Sequence, residues 1–153
     1  MSQSQWVAGL ILLTVAACQK EPARLISPDD IQGDALPQPL SDIKGDADQG
    51  KVIFSARDRG HCVLCHSVDG LDAEFQGNVG PNLTGVGNRL SEGQIRLRIA
   101  DYQEIKPGAL MPSYYRTHGF SQVGEVYRGK TVLTGQDIEH LVTYLVSLKE
   151  TSP

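Results

Sequence analysis

Residues 62–66 of this 153-residue chain read Cys62-Val63-Leu64-Cys65-His66. Two residues separate the cysteines, and the histidine follows the second cysteine directly. The sequence contains one further cysteine, Cys18, so the number of thiols is odd. Three cysteines exclude a small domain held together by several disulfides, and at least one sulfur must have a fate other than an intramolecular disulfide. The fold class depends on what the paired thiols at residues 62 and 65 hold.

The Cys-x-x-Cys-His spacing indicates covalent attachment of a c-type haem. Thiols at this separation can add to the two vinyl groups on one edge of the porphyrin, and His66 then lies under the ring with its imidazole facing the iron. A thioredoxin-like dithiol would need a βαβ context, and a zinc site would need a second ligand pair at matching spacing. The sequence shows neither feature, so haem attachment through Cys62 and Cys65 is the favoured interpretation, and a thiol–disulfide protein is the alternative.

Composition and charge further limit the class of protein. Hydrophobic residues make up 40% of the chain, charged residues make up 21%, and the formal net charge is −4. This composition is ordinary for one soluble domain with a hydrophobic core. The acidic balance argues against non-specific nucleic-acid binding, which requires a basic surface, so no nucleic-acid partner is expected.

The first residues are typical of an export signal. Every Lys, Arg, Asp and Glu follows Cys18, and the apolar run before that residue is shorter than the roughly 20 residues of a membrane-spanning helix. Val15-Ala16-Ala17-Cys18 is similar to the lipobox of bacterial lipoproteins, although the chain start lacks the usual Lys or Arg. We predict a lipoprotein-type signal peptide over residues 1–17, a periplasmic location and a lipid anchor on Cys18. The alternative is an ordinary signal cleaved near Ala17.

Residues 18–45 differ in composition from the rest of the chain. They contain four of the eight prolines and little apolar periodicity. Such a segment is typical of a Pro-rich linker, and the alternative is an N-terminal arm packed on the domain. The remaining residues, 46–150, form the predicted folded domain.

Helical patterns dominate the predicted domain and indicate an all-α fold. They predict a helix over residues 46–57, a second helix that begins at Ser91 with a capping box, and a last helix that begins at Thr134. A Gly-rich loop, residues 70–88, separates the first two helices. Long loops in a small domain usually have a functional reason, and wrapping a bulky cofactor would be one.

Met111 is the candidate for the second axial ligand of the iron. It is the only methionine after Met1 and lies in a loop close to Pro112, where a thioether is better placed to bind a metal than to fill a core. The histidines are the other candidates: His118 as the main rival, His61 too close to Cys62, and His140 within the last helix. His/Met ligation closes the coordination sphere and predicts electron transfer rather than oxygen or peroxide chemistry.

Residues 46–149 resemble the class I cytochrome c family. The resemblance rests on the attachment motif, on Gly80-Pro81-Asn82-Leu83, on the late methionine and on the amphipathic last helix. It implies a class I cytochrome c fold, in which helices and long loops wrap one covalently attached haem. It also implies that the first helix, through Gly50 and Phe54, crosses the last helix near Tyr144.

The family resemblance assigns roles to two further residues. The carbonyl of Pro81 would accept a hydrogen bond from Nδ1 of His66, and Arg89, in Gly85-Val86-Gly87-Asn88-Arg89, would reach a haem propionate. A simple turn proline and a solvated arginine are the alternatives for these two positions.

A narrower resemblance points to the SoxX family, the monohaem subunits of SoxAX sulfur-oxidation cytochromes. It is carried by Asp48-Gln49-Gly50-Lys51, the attachment motif, the run from Gly77 to Leu83, and Met111-Pro112-Ser113-Tyr114-Tyr115. A lipobox is not required in that family, so Cys18 is a departure from it.

The narrower resemblance implies a heterodimer with a SoxA-type subunit that holds a cysteine-ligated haem. Such a complex is an L-cysteine S-thiosulfotransferase, which couples thiosulfate oxidatively to a cysteine of a SoxYZ-type carrier. This chain would receive the electrons and pass them to a small c-type cytochrome, and no substrate site is expected on it. The alternative is a free-standing, membrane-tethered electron-shuttle cytochrome c.

Overall fold

A computed structural model describes residues 24–150 of the chain. Within that range the α-helices are α1 (Ala47–Ser55), α2 (Val86–Arg89), α3 (Glu92–Asp101) and α4 (Gly135–Ser147). Short 3-10 turns lie at Pro28–Asp30, Cys62–Leu64, Tyr102–Glu104 and Glu125–Tyr127. No β-strand occurs between residues 24 and 150, and the prediction of an all-α fold is confirmed.

The three longer helices begin where the sequence places them. Ser91 Oγ accepts a hydrogen bond from the Gln94 amide at 3.3 Å, and the Gln94 side chain accepts one from the Ser91 amide at 3.0 Å, which completes the predicted capping box of α3. Thr134 and Asp137 form the same arrangement before α4. These side chains satisfy backbone amides that the first helical turn leaves without partners.

Helices α1 and α4 cross at very short range. A Cβ atom on Gly50 would lie 2.1 Å from the carbonyl oxygen of His140, so only glycine fits at the crossing. One turn further along α1, the rings of Phe54 and Tyr144 meet edge to face with centroids 5.6 Å apart. The predicted crossing near Tyr144 is confirmed.

Two details of the helices differ from prediction. Helix α1 ends at Ser55, two residues before the predicted end, and Val52 on it is exposed. The short helix α2 was not predicted, because four residues are too few to show periodicity. It is held by Gly87, whose amide donates to the carbonyl of Leu148 at 3.0 Å.

Residues 34–41 pack against α3 and α4 as an arm. Leu36 is 1% exposed, and its amide donates to the carbonyl of Gly93 at 2.9 Å. The buried pair of Arg96 and Glu139 fastens the same segment, since Arg96 donates to the carbonyl of Leu36 and Glu139 accepts from the amide of Leu40. For residues 34–41, these contacts are those of an arm packed on the domain.

The predicted signal peptide over residues 1–17 and the predicted lipid anchor on Cys18 lie outside the described residues. Among the helices of residues 24–150, none is both long enough and apolar enough to cross a membrane.

Candidate haem site

The attachment motif forms a compact turn. Cys62–Leu64 is a single 3-10 turn, and His61 immediately before it has left-handed backbone angles (φ 47°, ψ 38°). The carbonyl of Cys62 accepts hydrogen bonds from the amides of both Cys65 (3.1 Å) and His66 (2.9 Å). Neither cysteine is in a disulfide. The turn thus holds two free thiols and one imidazole in a single short stretch of backbone.

The orientation of His66 is set by Pro81. The Nδ1 atom of His66 lies 2.8 Å from the Pro81 carbonyl oxygen, the contact that the family resemblance implied. Since a carbonyl oxygen can only accept, Nδ1 carries the proton and donates it in this hydrogen bond. The Nε2 atom therefore keeps its lone pair and is available to a metal.

Two glycines let the Gly-rich loop lie directly on the motif. A Cβ atom on Gly80 would come within 2.3 Å of Cε1 of His66, and one on Gly77 would come within 2.0 Å of the Leu64 carbonyl oxygen. The amide of Gly80 donates to the carbonyl of Cys65 at 2.8 Å, and that of Gly77 donates to the carbonyl of Val63 at the same distance. The sequence indicated a turn-rich loop here, but this close approach is visible only in three dimensions.

Tyr114 connects the segment that contains Met111 to the motif. Its hydroxyl donates to the carbonyl of Gly60 at 2.9 Å, next to the residues that lead into the attachment turn. Burial raises the pKa of this hydroxyl above its ordinary value, and the neighbouring Cys62 and Cys65 raise it further. Met111, three residues before Tyr114, is half-buried. Tyr114 belongs to the run that carries the narrower resemblance, but its hydrogen bond was not predicted, because the partner is far away along the chain.

The other candidate side chains have different surroundings. His118 is exposed, and His140 accepts a hydrogen bond at Nδ1 from the amide of Asp46 at 2.8 Å, which gives it a structural role at the start of α1. Arg89 donates to the carbonyls of Thr84 (2.7 Å) and Asn82 (3.3 Å), so it holds the backbone that follows Pro81. Its contact with a propionate stays a prediction.

The Cys62 thiol does not resemble the reactive thiol of a disulfide oxidoreductase. Burial raises the pKa of the Cys62 thiol to about 12, and the charge of Cys65 adds to that rise. Reactive dithiols work with lowered thiol pKa values, because the thiolate is the nucleophile. Between residues 24 and 150 no cluster of three His, Cys, Asp or Glu side chains could hold a lone metal ion, so the zinc alternative has no support there.

The donor set matches a covalently attached haem. Two neighbouring thiols can form thioethers, and the fixed imidazole has a free Nε2 for the iron.

Comparison with known proteins gives the same classification. The cytochrome c family model matches residues 47–149. A chain of SoxXA from P. pantotrophus has 32% sequence identity and a TM-score of 0.73, and the match covers 83% of this chain and 100% of that chain.

More distant matches include the c-type cytochrome SorU from Sinorhizobium meliloti, at 23% identity and a TM-score of 0.44 over 67% of this chain and 90% of that one. A "Cytochrome c-553-like" protein of Synechocystis is 43% identical over 53 residues, and the match spans 35% of this chain and only 42% of the relative. The chain belongs to the cytochrome c family, as a class I cytochrome c of the SoxX type with one covalently attached haem c.

Proposed function

We propose that this protein is the electron-transfer subunit of a SoxAX-type complex. The observation that carries the proposal is the match to a chain of SoxXA, which extends over the whole of that chain at a TM-score of 0.73. A SoxA-type subunit would then be the partner in a heterodimer. The complex would act as an L-cysteine S-thiosulfotransferase, with the substrate handled on the partner.

The proposed reaction releases electrons that this subunit would accept. A cysteine thiol of a SoxYZ-type carrier and thiosulfate form one sulfur–sulfur bond, and two electrons and one proton leave. A single haem iron exchanges one electron at a time, so two successive transfers through this chain balance the reaction. A small c-type cytochrome would be the acceptor.

The residues of this chain would bind and orient the cofactor. Cys62 and Cys65 would form the thioethers, His66 would offer Nε2 to the iron, and the Pro81 carbonyl would hold the tautomer that makes this possible. Met111 would provide the second axial ligand. When bound, the haem supplies one-electron redox chemistry, and His/Met ligation raises its potential relative to His/His ligation. Arg89 would bind a propionate while holding the loop after Pro81.

The proposed location is the periplasm, with residues 1–17 as the signal and Cys18 as a lipid anchor. The support is the uncharged apolar run that ends in Val15-Ala16-Ala17-Cys18. Growth of a bacterial host with radioactive fatty acid tests the anchor. Label should appear in the wild-type chain and be lost in Cys18→Ser, whereas an unlabelled, soluble wild-type chain would contradict lipidation.

Affinity purification of the tagged, haem-loaded chain from thiosulfate-grown cells of its source tests the partner. We expect a second c-type cytochrome with a cysteine-ligated haem in equimolar amount, and reduction of both by thiosulfate once a SoxYZ-type carrier is added. An untagged strain is the control. A monomer that reduces a terminal oxidase without a partner would instead support the membrane-tethered shuttle.

A further inference from the structure

The segment that follows Met111 is fastened to the end of α3. The amide of Tyr115 donates to the carbonyl of Ala100 at 3.0 Å, and the Ser113 hydroxyl donates to the carboxylate of Asp101. Ser113 is 1% exposed and Tyr115 is 2% exposed. Two residues after Met111, the chain is therefore buried and held by both backbone and side-chain hydrogen bonds.

Asp101 lies at the junction of two elements, since it ends α3 and is the N-cap of the 3-10 turn at Tyr102–Glu104. It is 5% exposed, so water does not compensate for the charge of its carboxylate. The protein supplies the compensation through Arg116, whose guanidinium lies 3.1 Å from the carboxylate, and through the amide of Gln103 at 3.2 Å. The carboxylate of Asp101 is thus buried and paired at once with Ser113, with Arg116 and with the Gln103 amide, so it joins the end of α3 to the segment after Met111.

Arg116 is itself held on two further sides. Its guanidinium donates to the side chain of Gln103 at 2.9 Å and lies over the ring of Phe120, 5.2 Å from the centroid. Because Ser113 and Arg116 both bind Asp101, the four-residue stretch from Ser113 to Arg116 is closed into a loop by one carboxylate. We call Asp101, Ser113 and Arg116 the Asp101 network.

We propose that the Asp101 network positions Met111 as the axial ligand by holding residues 113–116 against the end of α3. The inference rests on the proposed His/Met ligation. Met111 lies between the 3-10 turn at Tyr102–Glu104 and this fixed stretch, in a segment without helix or strand, so its thioether position depends on how firmly the chain is held at Ser113. Asp101 and Ser113 act through Met111 and are positioning residues.

Displacement of the ligand by imidazole measures this positioning. Added imidazole binds ferric iron only after Met111 has left, so its apparent affinity scales with the population of the opened segment. Removing a hydrogen bond to a buried carboxylate shifts such an equilibrium by about ten-fold. We expect haem-loaded Ser113→Ala and Asp101→Asn to bind imidazole about ten-fold more tightly than the wild type.

Ser91→Ala is the matched control. It removes a serine hydroxyl from the other end of the same helix, where it caps α3 opposite Asp101. It should lower overall stability without changing the apparent affinity for imidazole beyond about two-fold. If Asp101→Asn does not yield haem-loaded protein, the imidazole affinity of Ser113→Ala alone tests the proposal.

The outcomes distinguish the ligand role of Met111 from the positioning role of the Asp101 network. If Met111→Ala loses the near-infrared sulfur-to-iron band while Ser113→Ala binds imidazole like Ser91→Ala, the ligand assignment stands and the positioning role is wrong. If Met111→Ala keeps the wild-type spectrum, the ligand assignment is wrong and the positioning role falls with it. If Ser113→Ala binds imidazole about ten-fold more tightly and Met111→Ala loses the band, both the ligand assignment and the positioning role are supported.

Discussion

At the scale of single residues, the neighbours Gly80 and Pro81 do different work on the same imidazole. Gly80 has no side chain, which lets its backbone lie against the ring of His66, and Pro81 presents a carbonyl to Nδ1 at 2.8 Å. Proline suits that position because its φ is fixed and it has no amide hydrogen that needs a partner. The pair therefore sets both the place and the tautomer of the proposed iron ligand.

Gly80→Ala should disturb the site through one added methyl group. The new Cβ would come within 2.3 Å of Cε1 of His66, so the ring or the loop must shift. We expect a loss of about 1–3 kcal/mol in the free energy of unfolding of haem-loaded protein, as for other overpacked interiors. Urea denaturation, together with the haem content from pyridine haemochrome spectra, measures the effect.

Gly124→Ala is the control for that change. Its φ is −56°, which any residue adopts, and the nearest atom to a new Cβ is a Tyr127 ring carbon at 3.9 Å. It should change stability by less than about 0.5 kcal/mol. Equal effects of the two substitutions would show that the contact with His66 has no energetic importance.

Met111→Ala tests the proposed second ligand. The oxidised protein should lose its near-infrared sulfur-to-iron band, and the reduction potential should fall because the thioether ligand raises it. Absorption spectroscopy and a redox titration measure both. His118→Ala is the matched control and should keep the band, since that histidine is exposed. A changed spectrum in His118→Ala with none in Met111→Ala would transfer the ligand role to His118.

Among the longer helices, local sequence determines where each one begins, and long-range contacts determine how their faces pack. Capping boxes at Ser91 and Thr134 involve residues three positions apart, so the sequence alone predicts them. The α1–α4 crossing depends on the missing side chain at Gly50 and on the Phe54–Tyr144 contact, which join distant parts of the chain. The family resemblance, rather than periodicity, implied that contact.

Thr134→Ala should destabilise α4 from its first turn. The substitution leaves the amide of Asp137 without its 3.1 Å hydrogen bond to the threonine hydroxyl, and such losses cost about 1 kcal/mol. The free energy of unfolding from urea denaturation measures it. Thr131→Ala, in the loop just before α4, is the control and should have a smaller effect. A loss as large in Thr131→Ala would mean that the capping box is not the cause.

At the scale of the whole molecule, one buried ion pair joins the arm to two helices. Arg96 and Glu139 have side chains 3% and 7% exposed and make two hydrogen bonds of 2.8 and 2.9 Å with each other. Arg96 also donates to the carbonyl of Leu36, and Glu139 also accepts from the amide of Leu40. A buried ion pair stabilises a protein only when its groups are fully hydrogen-bonded. The arm supplies backbone hydrogen bonds to the pair, and the pair in turn holds the arm in place.

Glu139→Gln should therefore loosen the arm as well as lower stability. The change leaves the Arg96 charge without a counter-ion in the interior, which costs about 3–5 kcal/mol. Urea denaturation measures the total. Faster hydrogen exchange at the Leu36 and Leu40 amides would show that the arm opens.

Glu125→Gln is the matched control, because the same substitution then removes an exposed pair. The side chains of Arg128 and Glu125 are 71% and 79% exposed. Exposed pairs contribute little, so no measurable change is expected. A similar loss in both variants would contradict the special role of the buried pair.

Contacts between distant parts of the chain leave no local pattern in the sequence. The composition of residues 18–45 left a linker and a packed arm as alternatives, and only the hydrogen bonds to α3 and α4 show that residues 34–41 are held in place. Tyr114 and Asp101 gave no local signal, since their partners are Gly60, Ser113 and Arg116. The resemblance pointed to Arg89 as a propionate-binding residue, which stays a prediction, and it gave no sign that the guanidinium holds the carbonyls of Asn82 and Thr84.

The role of the attachment motif, the helix starts and the set of possible iron ligands could all be predicted from residue types and spacings. Each of these depends on residue type and on spacings of a few residues, which the backbone geometry of a turn or a helical turn converts directly into structure. The folded chain was needed to establish that Pro81 faces Nδ1 of His66, as the family resemblance implied, that Tyr114 ties the segment after Met111 to the motif, and that residues 34–41 are packed as an arm. Those contacts join residues separated by long loops, and their existence depends on how the whole chain is packed rather than on any local pattern.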